Sequence, residues 1–250
     1  MATAPLSPVS PPAHAAETAP LSQTARVIDT FIAPSKTFTD LRRSAQWWLP
    51  FLLMTLVGWT LVYVAEQKIG LQKLVANDLH ARPKAEDRFE KLAPEQQEKQ
   101  VKITGVIYYV AIPVFTLLIW VIMGALQFGT FKFGANADLS YSRALGVVAY
   151  AGLPMVLRNF LGILSVLAGV SPDGFTLNNP IASNPGYFMD AANSPFWYFI
   201  SSQIDVFLLW TLALTAIGFA KAGKVKMGTS FAIVIGWWVV ITLAFSALFS

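Results

Sequence analysis

The chain has 250 residues, of which 55% are hydrophobic and only 13% charged, whereas ordinary soluble domains carry about 25% charge. With a mean hydropathy of +0.53, this composition excludes an ordinary water-soluble globule and points to an integral membrane protein. The net charge of +4 does not point to nucleic acid, because the basic residues cluster at the ends of apolar segments, where topology signals sit. There is no cysteine, which excludes disulfides, thiolate catalysis and Cys-type zinc sites.

Residues 1–25 hold five prolines and seven alanines with one charged residue, Glu17. They show no apolar period and read as a disordered tail. They lack the basic start and apolar core of a signal peptide, so the first span is expected to act as its own insertion signal. From Arg26, the residues Val27, Ile28, Phe31 and Ile32 make a short amphipathic turn that Pro34 ends. Thr37 with Asp40 three positions on reads as a capping-box variant that starts a helix into the membrane. Arg42 and Arg43, followed by Trp47 and Trp48, mark the interface.

Five apolar segments follow, at about 47–65, 103–126, 143–170, 198–220 and 229–249, each long enough to span a bilayer as a helix. Alternating ten-residue strands are absent, which argues against a membrane barrel. No internal repeat is evident, and an odd number of spans fits an inverted-repeat transporter poorly. The expected fold is therefore all-α: a five-helix transmembrane bundle over residues 26–250, behind the 1–25 tail.

The third segment is the organising one. It carries Pro154 and a single cation, Arg158, and the residues on the side of Arg158 (Val147, Ala151, Pro154, Gly162, Ser165, Gly169) are mostly small. Small residues let helices approach closely in a membrane, so this side is expected to face protein. Asp205, read as lying within the fourth segment, shares its side with Ala213, Ala216 and Ala220. Counted from the outer ends, Arg158 and Asp205 lie ~18 and ~10 Å deep at ~1.5 Å per residue. Their expected arrangement is a buried ion pair, with Asn159 and Gln203 as polar neighbours, since a lone charge at depth is costly.

Lysine and arginine in the connections give the orientation. Nine lie before the first span and in the second and fourth connections, and eight lie in the 66–102 loop. That loop also carries seven acids, and the 171–197 loop has no basic residue at all, so the N-terminus is placed in the cytoplasm and the C-terminus outside. The 66–102 loop, with Ile69, Leu71, Leu74, Val75 and Leu79 as an apolar stripe and a break at Pro83, reads as a helical hairpin standing on the membrane. The 171–197 loop has four prolines, four asparagines and two glycines and reads as irregular turns. Its Phe175, Tyr187, Phe188, Phe196 and Trp197 are expected to hold it against the headgroups.

Catalytic constellations are missing. The two histidines, His14 and His80, stand in the tail and the first loop and form no metal-ligand spacing with each other. Gly-x-Ser-x-Gly, phosphate-binding loops and a second intramembrane acid are absent. No enzyme activity, cofactor or metal is expected.

The order of a proline-containing amphipathic start (Phe31-Ile32-Ala33-Pro34-Ser35-Lys36-Thr37-Phe38), five spans, and a third span bearing Tyr150-Ala151-Gly152-Leu153-Pro154 resembles the Yip-domain family, the Ypt/Rab-interacting membrane proteins. The charged first outer loop, the Asn184-Pro185-Gly186-Tyr187-Phe188 turn, and Asp205-Val206-Phe207 leading to Trp210 resemble its prokaryotic branch most. The resemblance implies five helices and a cytoplasmic N-terminus. Eukaryotic relatives act in vesicle traffic and bind prenylated small GTPases, but their Asp-Leu-Tyr-Gly-Pro motif has no counterpart before the first span here. The expected function is a non-catalytic scaffold or adaptor that docks a membrane or cytoplasmic protein partner. The alternative is a small transporter or permease component with a polar path around Arg158 and Asp205. The expected location is the bacterial cytoplasmic membrane, with an endomembrane as the alternative.

Overall fold

The computed structural model describes residues 19–246, so most of the expected tail, residues 1–18, lies outside the described residues, as does the end of the fifth apolar segment. The first helix, α1 (Gln23–Ile32), is capped by the Ser22 hydroxyl, which accepts from the Ala25 amide at 3.1 Å. Pro34 begins α2 (Pro34–Asp40), because proline is pre-organised for a first helical turn and disrupts an interior one. Thr37 and Asp40 thus do not cap a helix entering the membrane. Both are inside or at the end of α2 and are turned inward: Thr37 donates its hydroxyl to the Arg26 carbonyl at 3.0 Å, and Asp40 receives the Arg26 guanidinium at 2.7 Å.

The first span, α3 (Trp48–Lys68), ends at Gly70, whose φ of +91° needs a residue without a Cβ. The chain reverses there into the expected helical hairpin, α4 (Leu71–His80) and α5 (Pro83–Glu90). The hairpin does not simply stand off the membrane: α4 lies back on the bundle, and Leu74 is buried with Leu61, Ala65 and Ile163. The next helix, α6 (Pro94–Gly129), runs on through a π-helical turn (Thr130–Gly134) and is far longer than the 103–126 segment. It is the most peripheral of the spans, with Val106, Val110, Val114, Leu118 and Ile122 all exposed. Such a face is stable in hydrocarbon and not in water.

The third span is two helices, α7 (Tyr141–Ala151) and α8 (Leu153–Leu167). Pro154 explains the break, since it offers no amide hydrogen to the preceding turn and is accommodated only in the first turn of a new helix. Together α7 and α8 are the most enclosed of the spans. After the 168–194 connection with its 3-10 turn (Pro185–Phe188) come α9 (Pro195–Ser202), α10 (Val206–Gly223) and α11 (Met227–Ser246). The described residues thus hold five helices or helix pairs long and apolar enough to cross a membrane, and the fold is all-helical.

The core lies where α2, α7, α10 and the π-helical turn meet. Phe131 stacks on Phe219 at 4.5 Å between centroids, and Tyr150, Val147 and Phe38 are fully buried beside them. Gly218 permits the close approach: a Cβ there would lie 2.5 Å from Val147 Cγ1 and 3.0 Å from the Phe38 ring. At this end the α10–α11 turn is tied to the second connection by Asp138, whose amide donates to Gly223 O at 3.0 Å and whose carboxylate meets Lys224 at 3.1 Å. The bond to Lys224 holds the Asp138 carboxyl below the usual carboxylate range.

Candidate functional site around Arg158 and Asp205

Arg158 sits one turn past Pro154 on α8, at the opposite end of the bundle from the Phe131–Phe219 stack, and is 8% exposed. Asp205, 3% exposed, is the N-cap of α10 rather than a residue inside a helix. Its Oδ1 accepts from the Phe207 and Leu208 amides at 2.9 and 3.1 Å, the normal work of an aspartate at that position. The fourth span therefore begins at Val206, and the 198–220 segment is divided: α9 is a separate short helix, and the chain turns at 203–205.

Asp205 Oδ2 faces Arg158 Nε at 3.2 Å. The same oxygen accepts from the Asn184 side-chain Nδ2 at 3.1 Å and from the Ser183 hydroxyl. Arg158 Nη2 donates to Asn178 O at 2.9 Å and to Asn179 Oδ1 at 3.3 Å. The two asparagines close the cluster, Asn184 Nδ2 to Asn179 Oδ1 at 2.8 Å, and the Asn184 side chain also caps the 3-10 turn by accepting from the Tyr187 amide. The loop thus supplies four groups to two buried charges. Burying charge is tolerable when the ions are paired and hydrogen-bonded, and here both Asp205 oxygens and the Arg158 Nε and Nη2 are engaged.

The loop can reach this depth because α8 offers it room. A Cβ on Gly162 would lie 2.9 Å from Pro180, so the small side of α8 receives the loop as well as neighbouring helices. Phe175, expected at the headgroups, is instead 3% exposed and packs with Leu61, Ile163 and Val166, whereas Phe188 and Trp197 are exposed. An aromatic side chain on a loop that enters the bundle gains more by filling its interior than by lying at its rim.

Asn159 and Gln203 do not join the described hydrogen bonds of the charged pair. Asn159 points to the Met54 sulfur at 3.9 Å, and Gln203 borders a cavity of about 760 Å³ beside Asp205. A smaller cavity of about 350 Å³ lies between α3 and α6. Asp78 borders both; it accepts from the Tyr108 hydroxyl at 2.6 Å, and burial pushes its carboxyl above the usual carboxylate range. Sequence reasoning missed Asn179, Ser183 and Asn184. The runs Asn178-Asn179-Pro180 and Ser183-Asn184-Pro185 mark turns that carry short polar side chains, but nothing in them says that these turns reach Arg158 and Asp205.

Chemically the cluster holds two helices and a loop together. Among the described residues, no group of three or more His, Cys, Asp or Glu could hold a metal ion. No curated protein and no solved structure matches the chain. A family model, the Yip1 domain, matches residues 28–248, which covers every helix from α2 onward, and with this match the chain belongs to the Yip1-domain family of integral membrane proteins.

Proposed function

We propose that this Yip1-domain protein is a non-catalytic membrane scaffold or adaptor whose α1–α2 limb docks a protein partner at the bilayer surface. The observation that carries the reading is the way this limb is held. Arg26, 1% exposed, is locked to Asp40, and Thr30 and Thr37 both donate to the Arg26 carbonyl, at 2.7 and 3.0 Å. Val27 and Phe31 pack inward on the core, while Ile28 and Ile32 stand 54% and 75% exposed on the other edge of α1. A helix fixed this firmly presents its apolar edge without further ordering cost, which favours binding. The basic Lys221–Lys226 turn, opposite the base-free 171–197 loop, supports a cytoplasmic N-terminus and an outside C-terminus, and the resemblance to the prokaryotic branch supports the bacterial cytoplasmic membrane.

The second reading, a small transporter or permease component, is favoured by one observation, the 760 Å³ cavity beside Arg158 and Asp205. Against it, Arg158 and Asp205 at that cavity are paired with each other, and the far end of the bundle is filled by Phe38, Phe131, Val147 and Phe219. Two measurements separate the readings. Partners are captured in mild detergent with wild type and with the Ile28→Asp/Ile32→Asp variant, and the same preparations are reconstituted to measure proton and solute flux. The adaptor reading expects a partner that is lost from a folded variant and no flux above empty vesicles. Flux with no partner lost on changing α1 would replace it with the transporter reading.

A further inference from the structure

The two cavities share Asp78, Ile119 and Asn178 in their walls, so they adjoin, and end to end they make a slot whose charges gather at one end. One end runs along α3 and α6 past Met54, Gly58, Leu61, Ile112 and Phe115, with Tyr108, Asn159 and Asn178 as uncharged polar groups in its wall and Asp78 as its one charge. The other, also largely apolar in its wall, is where the charges gather: Asp78, Arg82, Arg158 and Asp205, with Gln203 beside them. Ser202, also in its wall, has a buried hydroxyl with no hydrogen-bond partner among the described residues. Phe115 and Ile119 are 56% and 54% exposed on the most peripheral span, so the slot opens sideways toward hydrocarbon. A largely apolar groove that opens toward acyl chains and ends in fixed charges matches an amphiphile better than a water-soluble solute.

The charges gathered at one end narrow the occupant. Arg158 and Asp205 are already paired, which leaves Arg82, in no described ion pair, and Asp78, whose described side-chain bond is to the Tyr108 hydroxyl. One cation and one anion side by side complement a headgroup with a phosphate and an ammonium, and an arginine is the natural phosphate partner. We propose that the slot binds one zwitterionic phospholipid drawn from the surrounding bilayer, its phosphate at Arg82, its ammonium at Asp78, and an acyl chain laid between α3 and α6. This goes beyond the adaptor reading and does not depend on it.

The test uses the full chain purified in mild detergent and given equal amounts of phosphatidylethanolamine and phosphatidylglycerol with identical acyl chains. Native mass spectrometry then counts the lipids retained. Wild type is expected to keep one phosphatidylethanolamine per chain, at least threefold over phosphatidylglycerol. Arg82→Ala, at an exposed side chain, and Ile119→Trp, where the two cavities adjoin, are each expected to cut that retention at least threefold without changing the melting temperature in lipid-free detergent. Equal retention of the two lipids, a preference for phosphatidylglycerol, or unchanged retention by a folded Arg82→Ala variant would overturn the proposal. The last result would identify the lipid as part of the general annulus around the helices.

Discussion

Arg26 and Asp40, 14 positions apart, meet in a buried ion pair, Nη2 to Oδ2 at 2.7 Å and Nε to Oδ2 at 2.8 Å. Removing one partner leaves the other charge buried and alone, which costs about 3–5 kcal/mol in such settings. Asp40→Leu is therefore expected to lower the detergent melting temperature sharply, and Arg26→Met/Asp40→Leu to recover most of the loss. A double variant no better than Asp40→Leu alone would show that the pair is not what fixes α2.

The Arg158–Asp205 pair is expected to behave asymmetrically. Arg158→Leu removes donors from Asp205 and Asn179, but Asp205→Leu also removes the cap of α10 and the acceptor for Ser183 and Asn184. Losing an aspartate cap costs about 0.5–2 kcal/mol on its own. Melting should therefore rank Asp205→Leu below Arg158→Leu, with the double Leu variant recovering only the charge component. Equal single effects that simply add would show the two side chains to be uncoupled.

Asp78 gives a pH dependence of opposite sign to that of a paired surface carboxylate. Burial raises its folded-state pKa above the unfolded value, so its favourable contribution is full below the unfolded pKa and is lost as pH rises through the folded one. Asp78→Asn does not titrate and can still accept from Tyr108. Its melting temperature is expected to exceed that of wild type at pH 7, and the gap should close as pH falls through the carboxylate range. A gap that widens on acidification would refute the assignment.

The orientation is testable because the chain has no native cysteine. Single cysteines at Asp173, in the 171–197 loop, and at Lys226, in the α10–α11 turn, both stand at exposed positions. An impermeant maleimide added to intact cells is expected to label the first and not the second. Labelling of Lys226→Cys alone would invert the topology.

The five spans were legible because length and apolar content suffice to mark a membrane helix. Where they begin and end was less so. Asp205 has apolar residues on both sides, so it reads as a charge within a span, although its carboxylate performs a local task at the start of one. Arg26 reads as one more topology cation, and nothing near it in sequence announces that Asp40 will meet it after the turn at Pro34. Pro154 was visible, and the break it makes follows from its missing amide hydrogen. The proline and asparagine content of the 171–197 loop correctly suggested turns. It carried no information that Gly162 would give Pro180 a place to enter, and so the asparagines that complete the cluster could not be assigned.

The position of Asp205 along the chain has a consequence for biogenesis. It follows Arg158 by 47 residues, and Asn179 follows by 21. At about 5–20 residues per second, Arg158 leaves the ribosome roughly 2–9 s before its counter-ion does. During that interval a guanidinium destined for a dry interior has only water or the insertion machinery to solvate it. Arg26 and Asp40, by contrast, are synthesised within one to a few seconds of each other. The third span is therefore expected to linger at the translocon until the fourth arrives, and the two should enter the lipid together. Chains stalled at Lys221, with α8 clear of the ribosomal exit tunnel and Asp205 still inside it, should crosslink from α8 to the translocon, and chains extended beyond Ser250 by a linker should not. Equal crosslinking at both lengths would mean that the third span partitions alone, carrying its charge unaided.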